Sequence, residues 1–185
     1  MEGKTYIVTG AALGMGLATA QSLLAEGAKV AMCDTNENLL AKVARELDPT
    51  LKSVLYETVD VTNRDAIRRF IQTVKDTFGD IHGVANNAGV AGRELGTHDL
   101  WDITDQEYDF VMDVNVRGCF YVLSECLRPG VLADSASVVH VGSMFSLQGF
   151  KKGAIYSASK HAVLGMVRSA AKDAGDRVRM NIVLP

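Results

Sequence analysis

Short apolar runs alternate along this chain with longer segments of helical spacing, and that alternation limits its fold more than any other feature. Thr5-Tyr6-Ile7-Val8 is a β-like run that ends at Thr9-Gly10, and Lys29–Cys33, Val54–Val59, Gly83–Asn86, Val138–Val141 and Val178–Leu184 read as further strands. Between them, Leu17–Glu26, Glu37–Leu47, Arg64–Phe78, a long segment from Thr104 or Asp105 to near Pro129, and Ile155–Ala174 carry apolar residues at helical intervals. In Arg64–Phe78 the inward stripe is Ile67, Phe70, Ile71, Val74 and Phe78, and Gly79 is placed to end the helix. The strand runs are almost continuously apolar. That predicts a parallel sheet buried on both faces, with helices on either side. The one long irregular connection is Gly89–Ile103, and connections of that length in compact domains are often functional.

Composition narrows the class. A chain of 185 residues, 48% of them hydrophobic, suits one domain spanning 1–185. It can bury about 70% of its unfolded surface without a metal or disulfide staple. With 19 basic against 22 acidic residues the net charge is -3, so neither a broad basic surface nor generic nucleic-acid binding is expected. Cys33, Cys119 and Cys126 form an odd set without paired spacing, which predicts free buried thiols in a reducing compartment. His82, His98, His140 and His161 show no metal-ligand spacing, so no metal site is expected. No stretch approaches the ~18 uninterrupted apolar residues of a membrane span. The chain enters its first apolar run directly after Met1-Glu2-Gly3-Lys4. A cytoplasmic protein without membrane contact is expected.

The segment Thr9-Gly10-Ala11-Ala12-Leu13-Gly14-Met15-Gly16 lies between the first strand and the first helix. Gly10 allows a tight turn, Gly14 lets a diphosphate approach the backbone, and Gly16 lets the helix pack close to the sheet. The helix N-terminus adds free N–H groups and a positive dipole end. This reading assigns Gly10, Leu13, Gly14 and Met15 to a dinucleotide. Asp34 follows the second strand, where a carboxylate can accept hydrogen bonds from the adenosine ribose and repel a 2′-phosphate. It is equally placed to cap the following helix. No Arg or Lys in Ala11–Leu13 or just after Asp34 offsets that repulsion, so NAD is expected over NADP.

Tyr156-Ser157-Ala158-Ser159-Lys160 puts a phenol and an ammonium on one face of a helix. A neighbouring positive charge favours phenolate, so the pair suits proton exchange with a carbonyl or alcohol oxygen. Ser143 follows the fifth strand, on the sheet edge where parallel α/β proteins bind ligands. Its hydroxyl can reach a substrate oxygen or serve a turn. Asn115 sits mid-helix as a poor helix former. It can hold a water that links Lys160 to solvent, or be a satisfied core amide. Met144, Phe145, Leu147 and Phe150 are candidates for an apolar substrate pocket or for packing beneath the loop.

Together these motifs resemble the main type of the short-chain dehydrogenase/reductase family. Its glycine loop is matched by Thr9–Gly16, its Asp-Val by Asp60-Val61, and its Asn-Asn-Ala-Gly by Asn86-Asn87-Ala88-Gly89. Its catalytic set is matched in order by Asn115, Ser143, Tyr156 and Lys160, and its Arg-x-Asn-x-x-x-Pro tail by Arg179, Asn181 and Pro185. The resemblance implies an α/β, Rossmann-like, doubly wound sheet ordered 3-2-1-4-5-6. It implies reversible hydride transfer between NAD(H) and a secondary alcohol or ketone, and the substrate is expected to be a small apolar molecule. Tyr156 would be the acid/base, Lys160 would assist it and hold the nicotinamide ribose, Ser143 would position the substrate oxygen, and Asn115 would support a relay water. Asp60, Val61, Asn87, Ala88 and Gly89 would join Tyr156 and Lys160 in holding the cofactor. Family members usually continue past the proline, so a chain ending at Pro185 is expected to be C-terminally truncated, without the substrate lid and last strand. Pairing of the two long helices into a homodimer or homotetramer is also implied. The competing expectation is a dinucleotide-binding protein that keeps the fold without turnover.

Overall fold

The computed structural model describes residues Met1–Pro185. Six strands form one sheet: β1 (Thr5–Thr9), β2 (Lys29–Asp34), β3 (Val54–Thr58), β4 (Ile81–Asn86), β5 (Leu132–Val141) and β6 (Val178–Val183). All neighbours are parallel, in the order β3-β2-β1-β4-β5-β6. The helices are α1 (Gly14–Ala25), α2 (Glu37–Leu47), α3 (Arg64–Phe78), α4 (Asp105–Met112), α5 (Gly118–Cys126) and α6 (Ala154–Ala174). Parallel neighbours cannot be joined by a hairpin, so a helix carries the chain back after nearly every strand.

The strands are apolar throughout because both faces are covered. Along β1, Ile7 joins one apolar cluster and Val8 the other; along β2, Ala31 and Cys33 part from Val30 and Met32 in the same way. One cluster is closed by Phe70 and Val74 of α3, Val122 and Leu123 of α5, and Val163 and Val167 of α6. The other is closed by Ala20 of α1 and by Leu40, Val43 and Ala44 of α2. The three cysteines are buried free thiols. No helix is long and apolar enough to cross a membrane.

Chain order turns back between β1 and β4, and the crevice above such a switch point is where open parallel sheets bind ligands. The expected elements and the observed ones differ at two places that matter. Helix α1 begins at Gly14 rather than Leu17, so the glycine loop runs straight into the first helical turn. The long helix expected after Thr104 is interrupted between α4 and α5 by a π-helical turn, Asp113–Arg117. Asn115 lies in that turn, and such insertions gather at functional sites.

Helices α3 and α5 are clamped by charge. The Glu125 carboxylate, only 2% exposed, accepts from Arg64 Nε at 2.6 Å, Arg128 Nε at 2.9 Å and Arg68 Nε at 3.2 Å. Burial opposes the charge, but the hydrogen bonds from Arg128, Arg68 and Arg64 outweigh it and hold the carboxyl down at about 2, from an ordinary value of 4.5. The stabilisation it contributes is complete above the ordinary value and disappears as pH falls through about 2. The guanidinium groups remain partly hydrated, so Glu125→Gln is expected to cost about 2–3 kcal/mol at pH 7. Urea unfolding should show that gap closing as the wild type is acidified from pH 4.5 towards pH 2. A gap independent of pH would remove the carboxylate charge from the explanation.

Candidate active site

The floor of the crevice is built by two turns in contact. Gly10 has φ +62°, and a Cβ there would meet Ala88 N and Cα at 3.0 Å. Gly16 is equally constrained, because a Cβ on it would overlap the carbonyl oxygen of Gly10. Thr9 ties the two turns together. Its Oγ1 donates to Asn86 Oδ1 at 2.8 Å and accepts the N–H groups of Asn87 at 3.1 Å and Ala88 at 3.0 Å. Gly14 differs from its neighbours: φ is +57° and nothing lies within 4 Å of the Cβ it lacks, so its backbone faces open space.

That open space is a cavity of about 530 Å³. Ten of the twelve residues expected from sequence to hold a dinucleotide line it: Gly10, Leu13, Gly14, Met15, Asp34, Asp60, Val61, Asn87, Ala88 and Gly89. Leu13 and Met15 expose their side chains. Asp34 is half-buried; its Oδ2 accepts the N–H of Ala12 at 3.1 Å and its Oδ1 that of Asn36 at 3.0 Å. The helix cap expected as an alternative role belongs to Asn36, whose Oδ1 accepts from Leu39 N at 3.1 Å. Asp34 is thereby free to bridge the end of β2 to the glycine loop. Asp60 is exposed and shapes its own turn, accepting from the N–H and hydroxyl of Thr62, each at 2.8 Å. Phe110 and Val114 also line the cavity and escaped the sequence reading. Their only local signal is membership of a helical segment, and the approach of α4 to the crevice is a tertiary event.

The cradle suits a dinucleotide: bare backbone at Gly14, a helix N-terminus beside it, and a carboxylate at the end of β2. A diphosphate would be held by the loop and the first turn of α1, and a ribose by Asp34.

Tyr156 and Lys160, expected to hold the cofactor, do not line this cavity; Lys160 comes close to its far wall at Gly89. A Cβ on Gly89 would stand 3.2 Å from Asn115 Oδ1 and 3.5 Å from Lys160 Nζ. Lys160 is 6% exposed and donates to the carbonyl of Val141 at 3.1 Å. Its Nζ lies 5.8 Å from the centre of the Tyr156 ring, as the four-residue spacing on α6 dictates. Burial holds the Lys160 ammonium below its usual range, with a small opposing effect from Cys119. Behind it, burial and then the charge of Lys160 push His140 down to about 3, so this imidazole is neutral and lies 3.7 Å from Cys119 Sγ through Nδ1.

Ser143 follows β5 and caps the short 3₁₀ turn Met144–Ser146. Its Oγ accepts from Phe145 N at 3.2 Å, which leaves the hydroxyl proton uncommitted. The Phe145 ring meets Tyr156 edge-on at 6.4 Å and stacks on Phe150 at 3.9 Å, so Ser143 and Tyr156 are joined through one aromatic neighbour. Of the candidate apolar pocket residues, Phe145 and Phe150 are half-buried against each other, whereas Met144 and Leu147 are exposed.

The Asn115 side-chain amide has partners on every donor. Its Oδ1 accepts from Val90 N at 2.8 Å, and its Nδ2 donates to Val90 O at 2.8 Å and Ser159 Oγ at 3.0 Å. Ser159 donates in turn to the carbonyl of Tyr156 at 2.7 Å. The Asn115 side chain therefore splices the segment after Gly89 to the first turns of α6, and its amide nitrogen has no proton left for a water.

The family model described as short chain dehydrogenase matches residues 4–185. The chain belongs to the short-chain dehydrogenase family. A short-chain dehydrogenase/reductase named ABA4 from Pyricularia oryzae is 35% identical, over 100% of this chain and 69% of that protein. Levodione reductase from Leifsonia aquatica is 32% identical, over 98% of this chain and 68% of its own length. Among solved structures, a short-chain dehydrogenase/reductase from Burkholderia phymatum in complex with NAD superposes with a TM-score of 0.91 at 27% identity, covering 100% of this chain and 66% of that one. Family membership makes the chain an oxidoreductase by descent, in a family that binds nicotinamide dinucleotides.

Proposed function

We propose that this family member transfers a hydride between NAD(H) and a secondary alcohol or ketone of a small molecule, with Tyr156 as acid/base. One observation carries the reading: Gly89, which lines the dinucleotide cavity, lies against Lys160 and Asn115, so the cofactor cradle and the Tyr156–Lys160 pair are parts of one site.

A bound nicotinamide would supply or accept the hydride. In reduction Tyr156 gives its phenolic proton to the carbonyl oxygen, and in oxidation it takes the proton of the alcohol. Lys160, its Nζ 5.8 Å from the centre of the Tyr156 ring, places an ammonium beside the group that exchanges the proton. Ser143 holds the substrate oxygen with the proton its Phe145 contact leaves free. Asn115 sets the spacing by pinning Val90 and Ser159, rather than by holding water on its amide. Leu13, Gly14 and Met15 hold the diphosphate and Asp34 the adenosine ribose. The preference for NAD rests on the cavity lining, which includes Asp34 and Asp60 but no Arg, Lys or His.

The NAD in the Burkholderia phymatum structure and the name levodione reductase support the same cofactor and substrate class for this chain. Self-association through α5 and α6 is supported by exposed Phe120 and by the apolar groove it forms with Leu123, Leu127 and Met166.

The test has two parts. NADH fluorescence should report saturable binding, and a panel of cyclic and linear ketones should include at least one that consumes NADH. Binding without turnover across the panel would favour a dinucleotide-binding protein instead.

A further inference from the structure

The residues Thr104-Asp105-Gln106-Glu107 spell a capping box, in which a threonine and a glutamate satisfy each other's backbone N–H groups. Only half of it forms. Glu107 N donates to Thr104 Oγ1 at 3.2 Å, but the Glu107 carboxylate turns away from the helix end. Its Oε1 accepts instead from the backbone N–H groups of Arg93 and, at 3.1 Å, of Glu94. The vacated role falls to Glu94. Its Oε2 accepts from Thr104 N at 3.3 Å and its Oε1 from the Thr104 hydroxyl at 3.2 Å. Each glutamate serves the other's segment.

Gly92 permits the exchange. Its φ is +96°, and a Cβ there would overlap Glu107 Oε1. The carboxylate is 5% exposed and has no cation against it, because the Arg93 guanidinium lies over the Phe110 ring at 4.3 Å. A buried carboxylate held only by N–H groups loses most of its compensation if the loop departs, so loop and carboxylate hold each other in place. The pin lies between two others: Asn115 fixes Val90, and Lys152 fixes Gly96 and Thr97. The pinned stretch matters because Ala91, Glu94 and Leu95, with Glu107 itself, border a small recess together with Tyr156.

We propose that Glu107 is a positioning residue for the substrate. By fixing the backbone at Arg93 and Glu94 it sets the wall of the recess that borders Tyr156 and thereby limits the size of alcohol or ketone admitted. It acts through the loop and touches no reacting atom. The proposal rests on the oxidoreductase reading above.

Glu107→Ala is expected to raise KM for the carbonyl substrate about tenfold and to broaden selectivity across a graded series of ketones. The change in kcat should stay below about threefold and the NADH affinity within about twofold. Hydrogen exchange at the Arg93 and Glu94 amides should accelerate at least tenfold. Glu107→Gln, which keeps an oxygen able to accept both N–H groups, should restore most of the KM. Gly92→Ala crowds the same oxygen without altering the carboxylate, so it should act like Glu107→Ala and covers the case in which that variant folds poorly. Faster exchange with unchanged KM and selectivity would overturn the positioning role alone. Absence of turnover in the wild type would overturn the oxidoreductase reading and this proposal with it.

Discussion

Replacing Tyr156 by phenylalanine is expected to lower kcat about 10²- to 10⁴-fold while leaving the fold and NADH binding intact. The separation follows from the surroundings of the side chain. The Tyr156 ring packs edge-on against Phe145 and stands beside Lys160, and phenylalanine keeps both contacts. The hydrogen bond that Tyr156 makes from its main chain, accepting Ser159 Oγ through its carbonyl, is also kept. The half-buried hydroxyl bonds to no other protein group and is not among the buried polar atoms left without a partner. Its removal should therefore change unfolding free energy by less than about 0.5 kcal/mol. A loss of turnover with an unchanged urea midpoint assigns the hydroxyl to proton transfer. Equal rates for the two proteins would dismiss Tyr156 as the acid/base.

Lys160 offers no such clean test. It is buried, donates to the Val141 carbonyl at the end of β5, and lies against the Gly89 turn. Its removal would disturb packing, the strand end and the cofactor wall together, so an activity loss there would not separate charge from structure.

The difference between these two residues also marks how far the sequence was legible. Properties carried by neighbours in the chain were readable. The glycine loop announces itself because each glycine answers a local backbone demand, and Tyr156 and Lys160 share a face because four residues nearly complete a helical turn. The parallel sheet was readable from unbroken apolar strands. What could not be read lies in contacts between distant segments. Asn115 stood out as a poor helix former, but its bonds to Val90 and Ser159 join segments 25 and 44 residues away. Glu107 looked like half of an ordinary cap, and only the path of the Gly92 loop shows that its carboxylate is spent elsewhere. Strand β5 begins at Leu132 rather than Val138, because exposed Asp134 and Ser135 break the apolar run without breaking the strand. Ser135 there adopts φ +62°.

The dinucleotide preference supplies the second large effect. Asp34 and a 2′-phosphate placed about 4 Å apart would repel by about 4 kcal/mol in a partly exposed site. Asp34 is half-buried at the cavity edge, so solvent takes up part of this, and no cation lines the cavity to offset the rest. Asp34→Ala is expected to shift the ratio of NADPH to NADH affinity by about 10- to 10²-fold towards NADPH. That variant also takes partners from the N–H groups of Ala12 and Asn36, which could loosen the loop for both dinucleotides. Asp34→Asn separates the two effects, since it removes the charge and keeps one acceptor oxygen. If charge governs the preference, both variants should shift the ratio alike, and only the alanine should weaken NADH. If loop geometry governs it, the asparagine variant should retain the wild-type ratio. Salt gives an independent check: screening over about 8 Å at physiological ionic strength should shrink the wild-type preference as salt rises, and leave the ratio of either variant nearly flat.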